Sequence, residues 1–538
     1  MTKKLLALLL ALVLCVGVFA ACGNNNNNDD TGSGSTIQGG LVNGVYVTPN
    51  FNGGKITMYM PNNSDIDPSK TWLNDTVEAH LNLTLDIIEG ADLTGMLAKG
   101  EVPDLQWTNT YSSLGMQQNG RQDKIYINIY DYLDQMPNLK KVLEDPANAH
   151  YVQKYSLAEG EMYNVPVIKQ GGDTSTKYAF LYRKDVFDAN NLKFPTNQAE
   201  FVATLEKLKE LYPDSYPFVM RQMTGNMQGA QAFGHLWGGV HLLRGEYSSV
   251  FTLDADGKYY LATSSQAYKE MAMFMKEMTD KGLMHKSSLT LDSAGWISTF
   301  SGNESFITYD KVDRLPTLNN ALISINPEYL MTAADPFNFG THATTGAKVS
   351  VSFAETGPQY SFCIGNGKNV QAVIKYVDWL YSEEGQIMTN WGVKDVSYVE
   401  SAEGVKTFKE GFLDSKGGLV QSGLYAASMS GVLDFEAYKG SCDANMVASL
   451  EIAAKYEGGT PAQVPLVFSE KDNLTWGTVA KSFETYTRAE LTKFISGQRD
   501  FSTWDNVIQE LKDNYKYDWL MDLHVNSLAE RQQALGKK

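Results

Sequence analysis

From Lys55 to Leu105 the apolar residues change period three times, and that alternation restricts the fold more than any other feature of the chain. Lys55 to Met60 reads as a strand, broken by Pro61-Asn62-Asn63. Trp72, Val77 and Leu81 fall near helical spacing, Leu83, Leu85 and Ile87 alternate as a second strand, and Pro103-Asp104-Leu105 opens a third. This β-α-β rhythm predicts an α/β lobe with a largely parallel sheet. Glu161 to Ile168 and Ala179 to Tyr182 read as further strands. The helix beginning at Pro195-Thr196 carries Phe201, Leu205, Leu208 and Leu211 on one face and stops before Pro213. Tyr268, Met271, Met275 and Met278 form another helical stripe, read as core packing, and the chain from about Asn473 onward is strongly helical. A body of this length exceeds what one core usually supports, so two lobes or more are expected.

The first residues follow a different order. Lys3 and Lys4 precede an apolar run from Leu5 to Phe19, and Ala20-Ala21 lead into Cys22. That is the sequence of a secretory signal, and the run is shorter than the roughly 20 residues of a membrane span. Cys22 followed by Gly23 resembles the lipobox of bacterial lipoproteins, although Phe19 stands where Leu or Val is usual. The resemblance implies that Cys22 becomes the mature N-terminus and carries a thioether-linked diacylglycerol, while Cys15 leaves with the signal. An ordinary signal peptide with an incidental cysteine is the alternative. Gly23 to Asp30 is an asparagine run ending in aspartates, and Thr31 to Gly40 is rich in Gly, Ser and Thr. Such a stretch cannot bury enough apolar surface to offset its ordering entropy, so residues 22–53 are expected to act as anchor and flexible tether.

Composition narrows the partners. Loss of Lys3 and Lys4 with the signal takes the formal charge from −17 to −19. That balance argues against nucleic acid and against anionic lipid as direct partners. With 43% hydrophobic and 11% aromatic residues the rest can build a substantial core. Cys363 and Cys442 are too few for a disulfide framework, and their pairing stays open. Asp254-Ala255-Asp256-Gly257 lacks the ligand spacing of an EF-hand and reads as a hairpin turn between Phe251-Thr252-Leu253 and Tyr259-Tyr260. His235 and His241 do not have helical zinc spacing, and neither a Gly-x-Ser-x-Gly elbow nor a Walker motif occurs. Gly365 to Gly367 reads as a strand-to-helix turn and fails the dinucleotide pattern at Val370. No cofactor and no metal are expected.

Four segments in order resemble the extracellular solute-binding proteins of bacterial ABC importers, in their carbohydrate-binding branch. They are Gly100-Glu101-Val102-Pro103-Asp104-Leu105, then Gly160-Glu161-Met162-Tyr163-Asn164-Val165-Pro166, then Tyr182 to Phe187 with Asn191-Leu192 and Phe194-Pro195-Thr196, and Val377 to Gln386 with its Ser382-Glu383-Glu384-Gly385-Gln386 ending. Asn191 and Asn197 replace residues usual in that family. The resemblance implies two discontinuous α/β lobes joined by hinge strands, with a ligand cleft between them and a helical C-terminal part. Mapped here, 1–21 is signal, 54–181 and 300–360 form lobe 1, and 182–299 and 361–538 form lobe 2. Crossings fall near Tyr182, at Phe306 to Tyr309, and at Tyr360 to Ile364.

It also implies a monomeric, lipid-anchored receptor on the outer face of the cell membrane that captures an oligosaccharide and presents it to ABC permease subunits. Pyranose rings offer apolar faces for aromatic stacking and hydroxyls for Asp, Asn and Arg. Candidate ligand contacts are therefore Asn62, Trp107, Asn109, Tyr111, Trp237, Trp296, Tyr309 and Asp310. Trp107 with Asn109 and Tyr111 follows a strand's carboxyl end, where open α/β sheets place ligands. Trp237 is flanked by glycines, and Trp296 follows Gly295 in an expected loop. For each, core burial is the competing reading; for Trp72, Trp379, Trp504 and Trp519, in helical patterns, core is the better one. The rival functions are a surface-anchored glycoside hydrolase, which needs two carboxylates flanking the scissile bond, and a receptor for a peptide or other non-sugar solute.

Overall fold

In the computed structural model the strand Gly54–Met60 lies inside a five-stranded sheet, with Leu83–Glu89 and Leu105–Thr108 parallel to it on either side. The structure describes residues 37–536 other than 62–66, 109–112, 173, 176, 222–227, 239–250, 254–257, 262–263, 325, 342–359, 457–465 and 467. Ile56, Met58 and Met60 alternate and are all buried, as a period of two requires. The crossover helix Trp72–Leu81 starts where the Thr71 side chain accepts from the Asn74 N–H, and ends at Asn82 in the left-handed region (φ 51°). Ser361–Ile364, antiparallel to Leu105–Thr108, and Val165–Pro166 complete this sheet.

A second sheet has the order Phe218–Val219, Ile307–Lys311, Tyr178–Arg183, Met331–Ala334. Phe218–Val219 runs parallel to Ile307–Lys311, and Tyr178–Arg183 is antiparallel to both of its neighbours. The helices Gln198–Leu211 and Gln266–Asp280 bury the expected stripes against it: Phe201, Leu205, Leu208, Tyr268, Met271, Met275 and Met278 are all solvent-free, while Leu211 at the helix end is exposed.

Sheet membership differs from the expected segment boundaries. Ile307–Lys311 pairs within the second sheet, with Tyr182 opposite Ile307, so neither Tyr182 nor Phe306 to Tyr309 is a crossing and residues 300–339 do not join the first core. Ser361–Ile364 pairs in the first sheet, and the first core continues to Leu433. The chain changes core between Ile168 and Tyr178, between Phe339 and Phe362, and between Leu433 and Phe435. The first and third changes are adjacent, because Ile168–Gln170 and Val432–Asp434 pair as parallel strands. A strand's apolar pattern states that it is buried, not which sheet buries it, and the long-range pairing supplies that choice.

The recurring motifs serve structural ends. Asp104 Oδ2 accepts from the Thr57 N–H and hydroxyl (both 2.9 Å) and from Asn369 Nδ2 (3.0 Å), tying the first strand to the turn after Ser361–Ile364. Arg183, 3% exposed, makes a two-pronged pair with Asp185 (2.8 and 2.7 Å) and lies over the Tyr329 ring. Ser382 caps the helix Glu383–Asn390 by accepting from the Gly385 N–H, and a Cβ at Gly385 would collide with the Trp379 carbonyl. Cys363 and Cys442 are free thiols.

Glu384 within that motif carries a pH dependence. Burial opposes its ionisation, but hydrogen bonds with His80 (3.0 Å), Thr48 Oγ1 (2.7 Å) and Trp379 Nε1 (3.1 Å) outweigh it and hold the carboxyl down at about 2. A carboxyl depressed in the folded state contributes stability above its unfolded value of 4.5 and loses it as pH falls toward 2. Because the side chain is 39% exposed the contribution is discounted, and Glu384→Gln is expected to lower stability at pH 7 by about 1 kcal/mol. The same substitution removes that share of the acid sensitivity. Urea unfolding of both proteins at pH 7 and pH 3 measures it, and an identical loss on acidification in the two would exclude Glu384 as the source.

Candidate functional site

The carboxyl ends of the parallel strands carry two groups of side chains. On the first sheet Trp107, 3% exposed, stacks on Tyr360 from the neighbouring chain segment, with centroids 5.5 Å apart and planes 17° off parallel. Pairing of Ser361 with Thr108 sets these two rings side by side. The indole N–H of Trp107 is buried and meets no acceptor among the described residues. A buried donor left in that state costs about 1–3 kcal/mol, which a structural tryptophan normally avoids. One residue upstream, Gln106 accepts a short hydrogen bond from the Tyr126 hydroxyl. Asn62, Asn109 and Tyr111, expected beside this group, lie outside the described residues, as does Cys22.

On the second sheet the strand Phe218–Val219 is followed by Met220 and Arg221, and the parallel strand Ile307–Lys311 contributes Asp310. Arg221 Nε and Nη2 donate to the two Asp310 oxygens at 2.6 and 2.9 Å, and Nη1 donates to Ser293 Oγ at 2.7 Å. The guanidinium lies 4.9 Å over the Trp296 ring, whose Nε1 donates to Thr308 Oγ1 (3.1 Å). Arg221, Asp310 and Trp296 are 5%, 1% and 1% exposed. Of the five guanidinium N–H groups, those three bonds leave two directed at no acceptor among the described residues. A guanidinium locked by Asp and flattened on an indole is a rigid donor for hydroxyl or carboxylate oxygens.

The sequence candidates divide accordingly. Trp296 and Asp310 come together through Arg221, which sequence reasoning missed; the available signal was an arginine directly after the apolar run Phe218-Val219-Met220. Trp296 is not in a loop: Asp292 caps the helix Ser293–Ser301 by accepting from the Gly295 N–H, and Trp296 sits one turn in, facing the core. Tyr309 points to the opposite side of its strand from Asp310 and packs fully buried against Tyr178, Phe180 and Phe233. Trp237 is 3% exposed rather than presented by its glycines, and it packs on Phe339 (4.6 Å) and Phe233 (5.1 Å). One edge of Trp237 lines an open groove of about 730 Å³ with Glu270, Met273 and Gly340. Of the tryptophans expected in the core, Trp379 and Trp504 are buried, whereas Trp72 and Trp519 are only partly so. Among the described residues no cluster of His, Cys, Asp and Glu could hold a metal ion, and no helix is long and apolar enough to cross a membrane.

No family model matches the chain. It is 24% identical over 314 residues to the fructooligosaccharide ABC transporter substrate-binding protein FusA of Streptococcus pneumoniae serotype 4, covering 55% of this chain and 54% of that one. It is also 24% identical over 231 residues to the polygalacturonan/rhamnogalacturonan-binding protein YtcQ of Bacillus subtilis, covering 41% and 42%. The chain thus matches about half the length of these curated relatives or less. Solved structures align over nearly their whole length: the alginate-binding protein AlgQ2 at TM-score 0.66 and 18% identity, covering 88% of this chain and 98% of that one. An extracellular solute-binding protein from Bifidobacterium longum subsp. infantis aligns at 0.67 and 14%, covering 89% and 98%. The chain has the α/β fold of these solute-binding proteins, and its relatives by sequence include FusA, the substrate-binding protein of a fructooligosaccharide ABC transporter, and the polysaccharide-binding YtcQ.

Proposed function

We propose that this protein is the lipid-anchored extracellular receptor of an ABC importer and that it captures an oligosaccharide between its two sheets. The observation that carries the reading is that an aromatic stack, Trp107 on Tyr360, and a buried Arg221–Asp310–Trp296 platform each stand at the carboxyl end of parallel strands. Stacking rings suit the C–H faces of a sugar, and the arginine suits its hydroxyls. The similarity to FusA supports a carbohydrate as the ligand class. Capture requires no covalent step: ligand energy shifts an open–closed equilibrium and the permease reads the closed form. Revised lobes follow the cores, 54–168 with 362–433 and 178–339 with 435–504, and the adjacent strands Ile168–Gln170 and Val432–Asp434 serve as hinge. Cys22 supplies the anchor.

Calorimetric titration with a panel of oligosaccharides, fructooligosaccharides included, tests the reading. At least one glycan is expected to bind unaltered, with no shortened product on chromatography, and Trp107→Ala is expected to weaken it by about 1–3 kcal/mol per folded molecule. Binding of peptides alone, or cleavage of the glycan, would sink the proposal. An unchanged affinity in the variant would return Trp107 to the core.

A further inference from the structure

We infer that the hairpin formed by Gln38–Val42 and Val45–Asn50 seats its outer face on the uncharged acyl–headgroup boundary of the lipid bilayer. The expected tether therefore stops short of residue 53: the chain from Gln38 to Asn50 pairs as a hairpin and Phe51 is buried, and the hairpin closes through Asn43 and Gly44, both at positive φ (51° and 80°), a two-residue turn that matches the strand twist. Its register sets Val42 opposite Val45 and Gly40 opposite Val47 on one face, with Leu41 opposite Tyr46 on the other. The inner face is held to the body. Thr48 Oγ1 donates to Glu384 and Lys375 Nζ reaches the Ile37 carbonyl, while the Lys375 stem lies against Gly40 at the base of the opposite face. Beyond Gly40, no hydrogen bond or ion pair among the described residues holds the face of Val42, Val45 and Val47. Val42, Val45 and Val47 are 44%, 64% and 48% exposed, and Leu41 at the rim 42%.

Charge separates this patch from the exposed valines at 396, 399 and 405. Val396, Val399 and Val405 are also exposed, but they are interleaved with Lys394, Glu400 and Lys406. Around the hairpin no Asp, Glu, Lys or Arg occurs from Thr31 to Gly54, in a chain with 20% charged residues and a net charge of −17. An acidic body is repelled by an anionic membrane surface, and an apolar edge whose own segment carries no charge is a part of it that can touch a bilayer. Position adds to chemistry. This inference rests on the reading that Cys22 carries lipid, and only residues 23–36 then separate the lipid from Ile37. Fully extended they reach about 50 Å, so the hairpin meets the bilayer at an effective concentration near the millimolar range. A face too weak to bind from solution is occupied under those conditions. Contact at this edge would fix how the body stands on the membrane.

The test uses the full lipidated protein in phosphatidylcholine vesicles, with Cys442→Ser and an environment-sensitive dye on Val45→Cys or, as control, on Val405→Cys. The dye at Val45 is expected to shift to the blue and to be quenched by nitroxide-labelled lipid, and the dye at Val405 to show neither change. Val42→Asp with Val47→Asp is expected to abolish the shift at Val45 with the protein still floating with the vesicles. Flotation without quenching at Val45 would overturn the hairpin contact and leave the anchor standing. Protein that does not float would overturn the anchor and, with it, this inference. Quenching seen only when purified permease is in the vesicles would replace the lipid surface with a protein partner.

Discussion

Asp310→Ala is expected to lower the stability of the chain by about 3–5 kcal/mol in urea unfolding, among the largest effects of any single substitution outside the purely apolar core. The carboxylate is 1% exposed and accepts both prongs of the Arg221 guanidinium, so among the described residues its removal leaves a buried cation with the Ser293 hydroxyl and the Trp296 face. The cost is that of an uncompensated charge, not the net worth of the pair, since two ions taken out of water give back most of their attraction as desolvation. Arg221→Met combined with Asp310→Leu is therefore expected to recover most of the loss, to within about 1–2 kcal/mol of the parent. Failure of the double substitution to recover would mean that the pair holds neighbouring backbone in place. Sugar titration on the same proteins separates roles: the double variant folds but, on the proposed function, binds no glycan.

Arg531→Ala is expected to cost about 3 kcal/mol and to detach the end of the C-terminal helix from the first core. Tyr517–Ala534 begins against the strands Phe251–Leu253 and Tyr259–Leu261, where His524 packs on Phe251 and Tyr259. At its other end Arg531, 2% exposed, donates to the carbonyl oxygens of Gln153, Ser156 and Leu157, and the Glu159 N–H donates to the Ala534 carbonyl. The helix Ala149–Tyr155 ends there, so the guanidinium satisfies carbonyls that have no intrahelical donor. Each acceptor left buried and unpaired costs about 1–3 kcal/mol, partly relieved by water. Hydrogen exchange should show faster opening at residues 153–159 and 517–534 in the variant. Protection unchanged at both would show that the helix is held by its apolar face alone.

Local physics was legible in the chain before folding. Period two in Ile56, Met58 and Met60, period 3.6 in Phe201, Leu205 and Leu208, and the methionine stripe from Met271 to Met278 each report one face of one element, and each is buried as read. The order of the four motifs carried the fold class for a similar reason, since Asp104, Arg183 and Ser382 bond mostly within a turn or two of their own strand or helix, or to the strand beside it. The Asp104–Asn369 bond and the bonds of Arg183 to Phe300 and Asn303 are the exceptions, and they formed only with the tertiary structure.

Sheet membership, burial of the aromatic candidates and the Arg221–Asp310 pair were settled only by tertiary structure. Phe180 and Phe362 have equally apolar surroundings in sequence, yet one pairs with Tyr309 and the other with Trp107. Backbone pairing is non-local, and either sheet would satisfy the same pattern. Glycines beside Trp237 and Trp296 suggested exposure, but Phe339 and Arg221 approach from elsewhere in the chain and cover those rings. The sequence by itself determined most of the strands, helices and buried faces; the long-range contacts decided which faces meet, and therefore that Arg221 and Asp310 share one buried site.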